Sequence, residues 1–104
     1  MAGRLVVSTC FKAGQEAEFN KWYDEVHIPE VLGLGVFTAA QRFRMSDSQA
    51  MDQSHQYLAL YEFEGDAKEA VDALLSASGK LNMSDTLESP FMSVVEEISE
   101  RVVA

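Results

Sequence analysis

The chain is poor in the residues that announce many chemistries: one cysteine, two prolines, two histidines and one tryptophan in 104 residues. A lone cysteine makes no intramolecular disulfide, and Cys10, inside an apolar run, reads as a small buried hydrophobe rather than a nucleophile. Lysine and arginine number 8 against 17 acidic residues, a net charge of −9, and no basic run could track a phosphate backbone. Neither nucleic acid nor an anionic membrane is therefore an expected partner. No apolar stretch approaches membrane-spanning length, and Met1-Ala2-Gly3-Arg4 leads into a strand-like segment without a signal-type h-region or twin arginine, so a cytoplasmic location is expected. Two distant histidines and one cysteine make no ligand set of recognised spacing, no glycine-rich loop opens a helix after a strand, and no Gly-x-Ser-x-Gly elbow occurs. Neither metal, nucleotide cofactor nor serine-hydrolase chemistry is expected.

What is present describes one globular α+β domain. Apolar residues make up 47% of the chain, and its length allows one core and no second domain, so residues 1–104 are expected to share that core. The acidic residues are dispersed through both expected helices and the C-terminal segment, as on a solvated surface. There is no internal repeat, low-complexity tract or linker.

Leu5 to Phe11, rich in β-branched and aromatic residues, reads as a first strand that stops at Lys12-Ala13-Gly14. Phe19, Trp22, Tyr23 and Val26 then recur at helical spacing, predicting a helix from Gln15 to His27, with a further turn through Glu30-Val31-Leu32 after a kink at Pro29. Gly33-Leu34-Gly35 breaks the pattern. Val36 to Met45 reads as a second strand with Phe37, Ala39, Phe43 and Met45 on one face and Thr38, Arg42 and Arg44 on the other. Beyond a polar loop, Gln56 to Phe63 predicts a third strand, forming an antiparallel hairpin with the second. Asp66 and Glu69 suit a capping box for a second helix ending near Ser78-Gly79, with Ala70, Val71, Leu74 and Leu75 inward. Lys80 to Pro90 carries no clear signal, and Phe91 to Ile98, continuing towards Val103, predicts a fourth strand.

The order is the βαββαβ of ferredoxin-like domains: a four-stranded antiparallel sheet with two helices on one face. Two helices cover only one face of such a sheet. The other face still carries apolar side chains, so a homodimer is expected, packed face to face as a dimeric α+β barrel.

The densest chemical signal is Trp22 to Glu30. At ordinary helical spacing Tyr23 and His27 are neighbours at i and i+4, and Asp24 and His27 at i and i+3. A carboxylate or phenol could thus hold the imidazole, and a carboxylate would fix its tautomer and raise its pKa, as general acid–base work requires. A histidine at a helix C-terminus also gains from the helix dipole alone, and Trp22 and Tyr23 fit a core role equally well. Arg42 could hold a carboxylate or enolate if it faces a cavity; facing solvent, it has no such role. Tyr57 and Tyr61 suit core or cavity lining, with phenols able to donate to a substrate oxygen. His55, at the mouth of the third strand, is expected in solvent.

Phe19-Asn20-Lys21-Trp22-Tyr23-Asp24-Glu25-Val26-His27-Ile28-Pro29-Glu30-Val31-Leu32, then Phe37, Gln41 to Arg44 and Tyr57 to Glu62, resembles the EthD-like branch of the dimeric α+β barrel superfamily. The element order extends the likeness over nearly the whole chain. The resemblance implies a small homodimer with a cavity between sheet and helices in each subunit, and it places His27 at the histidine of the family's helix-end motif, with Trp22, Tyr23 and Arg42 at matching positions. Relatives in that superfamily include cofactor-independent monooxygenases, cyclases, lyases, isomerases and haem enzymes, so the fold does not fix the function. The haem branch fits poorly, its members being larger. Where such sequences commonly read Leu-Pro-Gly-Phe, this one has Leu34-Gly35-Val36-Phe37, which predicts a looser approach to the second strand.

The expected function is a cofactor-independent enzyme performing lyase, isomerase or cyclase-type proton transfer on a small apolar, aromatic, polyketide-like or lactone substrate. His27 would be base or acid, Tyr23 or Asp24 its orienter and Arg42 the stabiliser of negative charge, with Trp22, Phe43, Tyr57 and Tyr61 lining the pocket. The alternatives are cofactor-free oxygenation of a phenol or anthrone, and non-catalytic binding of a hydrophobic compound.

Overall fold

In a computed structural model, residues 2–104 are described. The elements are β1 (Gly3–Phe11), α1 (Glu16–Trp22), a π-helical turn (Tyr23–His27), α2 (Ile28–Leu32), β2 (Ala39–Arg44), β3 (Tyr57–Phe63), α3 (Ala67–Ser76) and β4 (Leu87–Glu96). The four strands form one sheet in the order β2-β3-β1-β4, each neighbouring pair antiparallel. This is the expected ferredoxin-like fold. Asp66 caps α3 by accepting from the Lys68 amide at 3.1 Å, and Gly79 leaves the helix at a φ of +82°, a conformation that costs glycine little.

Alternation along β1 and β3 decides where the core lies. Leu5, Val7 and Thr9 of β1, with Tyr57, Ala59, Tyr61 and Phe63 of β3, all point to the helical side and are buried, joined by Phe19, Tyr23, Val31 and Ala70 from the helices. The molecule measures 40 × 39 × 19 Å, so its thin direction is one sheet plus one helical layer. The opposite face of the sheet is uncovered and carries Phe43, Leu60, Val6, Phe91 and Val95.

Three expectations need correction. β2 is shorter than residues 36–45, and Phe37 does not share a face with Phe43. Phe37 precedes the strand and packs into the core against Tyr61 and Phe63, whereas Phe43 pairs with Leu58 in the sheet and lies on the open face, 41% exposed. Strict alternation fails there because the chain enters the sheet only at Ala39, after a turn at Gly35 with φ +84°. β4 begins at Leu87 rather than Phe91 and ends at Glu96, and residues 97–104 form no strand. Its pairing with β1 is bulged between Ser8 and Cys10, where Ser89, at φ +47°, and Pro90 oppose the single residue Thr9. That local twist is what an alternation pattern does not reveal.

Candidate functional site

The helical segment after β1 changes pitch where Pro29 approaches. A proline in a helix has no N–H to give to the carbonyl four residues back, and its ring crowds that carbonyl. The chain responds one turn earlier by widening: Tyr23–His27 is π-helical, and the Ile28 N–H bonds the Tyr23 carbonyl five residues back. Single π turns of this kind frequently occur at functional sites. The widened spacing brings residue i onto residue i+5, so Trp22 stacks on the His27 ring at 4.7 Å with 26° between planes, and Tyr23 meets it edge-on at 4.9 Å.

His27 and Tyr23 form part of the wall of a cavity of about 250 Å³ between sheet and helices. Leu5, Val7 and Thr9 of β1, Tyr61 of β3 and Leu74 of α3 supply its floor and side. The segment after α3 closes the rim with Leu81, Met83 and Leu87, and no charged side chain lines it. The Tyr61 hydroxyl lies 3.4 Å from that of Tyr23. Burial pushes the Tyr23 and Tyr61 phenols well above their ordinary pKa, so both keep their protons and remain hydrogen-bond donors at neutral pH.

The His27 Nδ1 is buried and has no hydrogen-bond partner among the described residues. Burial holds the His27 pKa below the usual imidazole value, with the Glu30 charge opposing the shift but not overcoming it. This corrects the expectation of a raised pKa from an adjacent carboxylate. The His27 ring stands in the wall of an apolar cavity, in surroundings that favour the neutral imidazole, and its Nδ1 is buried without a partner among the described residues.

Asp24, one of the two expected orienters, turns away from His27. Its Oδ1 accepts from the Arg42 guanidinium at 2.9 Å, while the second Arg42 nitrogen donates to Asn20 Oδ1 at 2.7 Å. The guanidinium lies over the Tyr23 ring at 4.4 Å and near Tyr57 at 5.1 Å. Asn20 Nδ2 donates to the Tyr57 hydroxyl, which donates in turn to Glu16. Arg42 is thus on the helical face of the sheet but is committed to this cluster, and it is not among the residues lining the cavity. Its charge acts on the site through space, favouring the ionised form of both the Tyr23 and Tyr61 phenols against the larger effect of burial.

Tyr23, His27 and Tyr61 are therefore brought together. Trp22 backs His27 from behind, Tyr57 belongs to the Arg42 cluster, and Phe43 is on the far side of the sheet. His55 is half-buried rather than in solvent: its Nε2 contacts the Ser89 carbonyl at 2.9 Å and its Nδ1 the Ser54 hydroxyl at 2.8 Å, tying the 46–54 loop to the β4 bulge. Among the described residues no group of three or more His, Cys, Asp or Glu is placed to hold a metal, and no helix is long and apolar enough to cross a membrane. Asn20, Glu16 and Asn82 were missed as site neighbours. Their partners lie 22 to 60 residues away, so no local spacing could have signalled them.

The sheet order, the two covering helical segments and the cavity define a ferredoxin-like α+β domain of the kind found in EthD-like proteins. Solved structures agree. The chain is similar to the At3g17210 protein of Arabidopsis thaliana, with 16% identity and a TM-score of 0.71 over 96% of this chain and 99% of that one. It is similar to an EthD-like protein of Ralstonia eutropha, with 15% identity and a TM-score of 0.63 over 95% and 96%. A dimeric ferredoxin-like protein of unknown function from a Jannaschia species has 13% identity and a TM-score of 0.63 over 93% and 100%. At these identities the shared property is the fold. A family model described as a domain of unknown function, DUF4286, matches residues 6–75, and the chain belongs to that family. No curated protein matches it.

Proposed function

We propose that this protein is a cofactor-independent acid–base catalyst acting on a small, uncharged, largely apolar substrate, with His27 as the proton-transferring group. The observation that carries the reading is the neutral His27 ring, its Nδ1 unpaired, in the wall of a cavity with no charged lining residue. A base of depressed pKa stays unprotonated at neutral pH and is ready to accept a proton, and burial spares it competition from water. The Tyr23 and Tyr61 hydroxyls are the donors able to meet a developing enolate oxygen, a task for which Arg42 is too far engaged elsewhere. The matching reactions are elimination, isomerisation or cyclisation of an aromatic, polyketide-like or lactone compound.

The working unit under this proposal is a homodimer joined through the open sheet faces. The isolated chain exposes 7146 Å², whereas a folded monomer of its 11.5 kDa mass should expose about 5,800 Å². The excess exceeds the roughly 800 Å² that each partner buries in a standard interface.

The test is proton abstraction itself. Neutral lactones and 1,3-dicarbonyl aromatics are incubated with the protein in deuterated buffer, and carbon-bound deuterium is read by mass spectrometry. His27→Ala should slow exchange by about 100-fold or more. Equal exchange by wild type and variant would refute the acid–base role. Oxygen uptake with a phenolic compound would instead favour cofactor-free oxygenation, and retention of a compound without exchange would favour a binding protein.

A further inference from the structure

The irregular segment between α3 and β4 closes one side of the cavity with Leu81 and Met83, beside Leu87 at the start of β4. Its ends are fixed. Gly79 makes the turn out of α3 at φ +82°, and Thr86, buried, accepts the Lys12 amide at 2.9 Å. Between them, Asn82 makes every hydrogen bond that joins residues 80–85 to the helical segment opposite, among the described residues. Its backbone N–H and its side-chain Nδ2 both donate to the Glu30 carboxylate, at 2.8 and 2.7 Å. Its carbonyl accepts the Trp22 indole N–H at 2.7 Å. One residue thus grips the helix on both sides of His27, and the indole it holds is the ring stacked on that imidazole.

We propose that Asn82 is the latch of the cavity: its three hydrogen bonds to Glu30 and Trp22 hold residues 79–85 shut beside His27, and their release opens the ligand's way in. Two of the bonds go to a carboxylate and are strong, yet all three lie at the solvent edge, where water competes for the same groups, so opening is reversible. The segment can swing as a unit because its hinges are the glycine and the anchored threonine. Because the same indole contacts both Asn82 and His27, opening also frees the ring behind the base. The proposal rests on the cavity being the ligand site, but not on any chemistry occurring there.

Glu30→Ala, which removes the acceptor of two of the three bonds, is compared with wild type in the full chain by three readings. Amide exchange in residues 79–85 should accelerate about tenfold or more while exchange in β1 and β3 stays unchanged. Acrylamide quenching of Trp22, the single tryptophan, should increase. Association of the uncharged fluorophore N-phenyl-1-naphthylamine should become faster; binding on the open sheet face, which Glu30 does not touch, would contribute equally in both proteins. Asn82→Ala, which removes only the Nδ2 bond and keeps the backbone N–H and carbonyl, should give the same pattern at smaller amplitude, and it serves if Glu30→Ala does not fold. Unchanged local exchange and quenching, or acceleration spread evenly through the sheet, would overturn the latch, the first because packing of Leu81 and Met83 suffices to hold the segment, the second because the contact of Asn82 with Glu30 merely supports the fold. A latch that opens while no probe binds would keep the conformational device and remove the ligand-site reading.

Discussion

The two faces of the sheet are built from the same alternating strands, with one phase shift at the β4 bulge, yet they are opposites in what they require. On the helical face, Tyr61 and Phe63 are 1% and 2% exposed, and their packing is completed by helices of the same chain. On the other face, Phe91 and Val95 stand 63% and 46% exposed and none of the described residues covers them. The first face stores the free energy of folding of the single chain, and the second, under the proposed homodimer, would store that of association.

The largest test of that contrast is Phe19→Ala, at a fully buried position beneath α1. It should cost about 3–5 kcal/mol in urea unfolding. Phe91→Asp combined with Val95→Asp should leave the far-UV spectrum of the chain unchanged but weaken self-association by about 2–4 kcal/mol, read as a shift from dimer to monomer in sedimentation velocity. A wild-type protein that sediments as a monomer at every accessible concentration would break the comparison. Next comes Arg42→Ala, which strips the stacked, hydrogen-bonded cation from Tyr23 and Asp24 and should cost about 1–3 kcal/mol, with Arg42→Lys restoring little because an ammonium cannot bridge Asp24 and Asn20 in one plane.

The smallest effect belongs to His27. Its pKa in the folded chain lies below the unfolded value near 6.5, chiefly through burial, so the unfolded state binds the proton more readily. Its contribution to stability is therefore full above pH 6.5 and is lost as the pH falls from there through the lowered folded pKa. The difference in urea midpoint between wild type and His27→Gln, followed across that range, isolates it from the carboxylates. A difference that does not change with pH would mean that His27 is not buried as described.

The fold was legible because β1 and β3 alternate cleanly and the helices carry their apolar stripe; both signals are local. The site was half legible. His27, Tyr23 and Tyr61, singled out from the sequence, converge on the cavity, and Tyr23 contacts His27 as expected, but the contact assigned between Asp24 and His27 assumed an ordinary helical pitch. The π turn exchanged Asp24 for Trp22 as its neighbour, and the cause, Pro29, was visible while its effect one turn upstream was not. Arg42 was singled out as a residue facing the site, but its partners Asp24 and Asn20 lie across the fold. Phe43 was misplaced because alternation was extended back through Phe37 into a segment that is not yet strand.

The bulge at Ser89-Pro90 has a consequence for solubility. β4 is an outer strand of the sheet, and an outer strand offers its free amides and carbonyls to any passing chain. Over part of its length Pro90 supplies no amide and the bulge breaks the regular ladder, so a stranger's strand could not zip along the whole edge. A protein with an open apolar sheet face thus guards the adjoining margin against runaway, amyloid-like polymerisation.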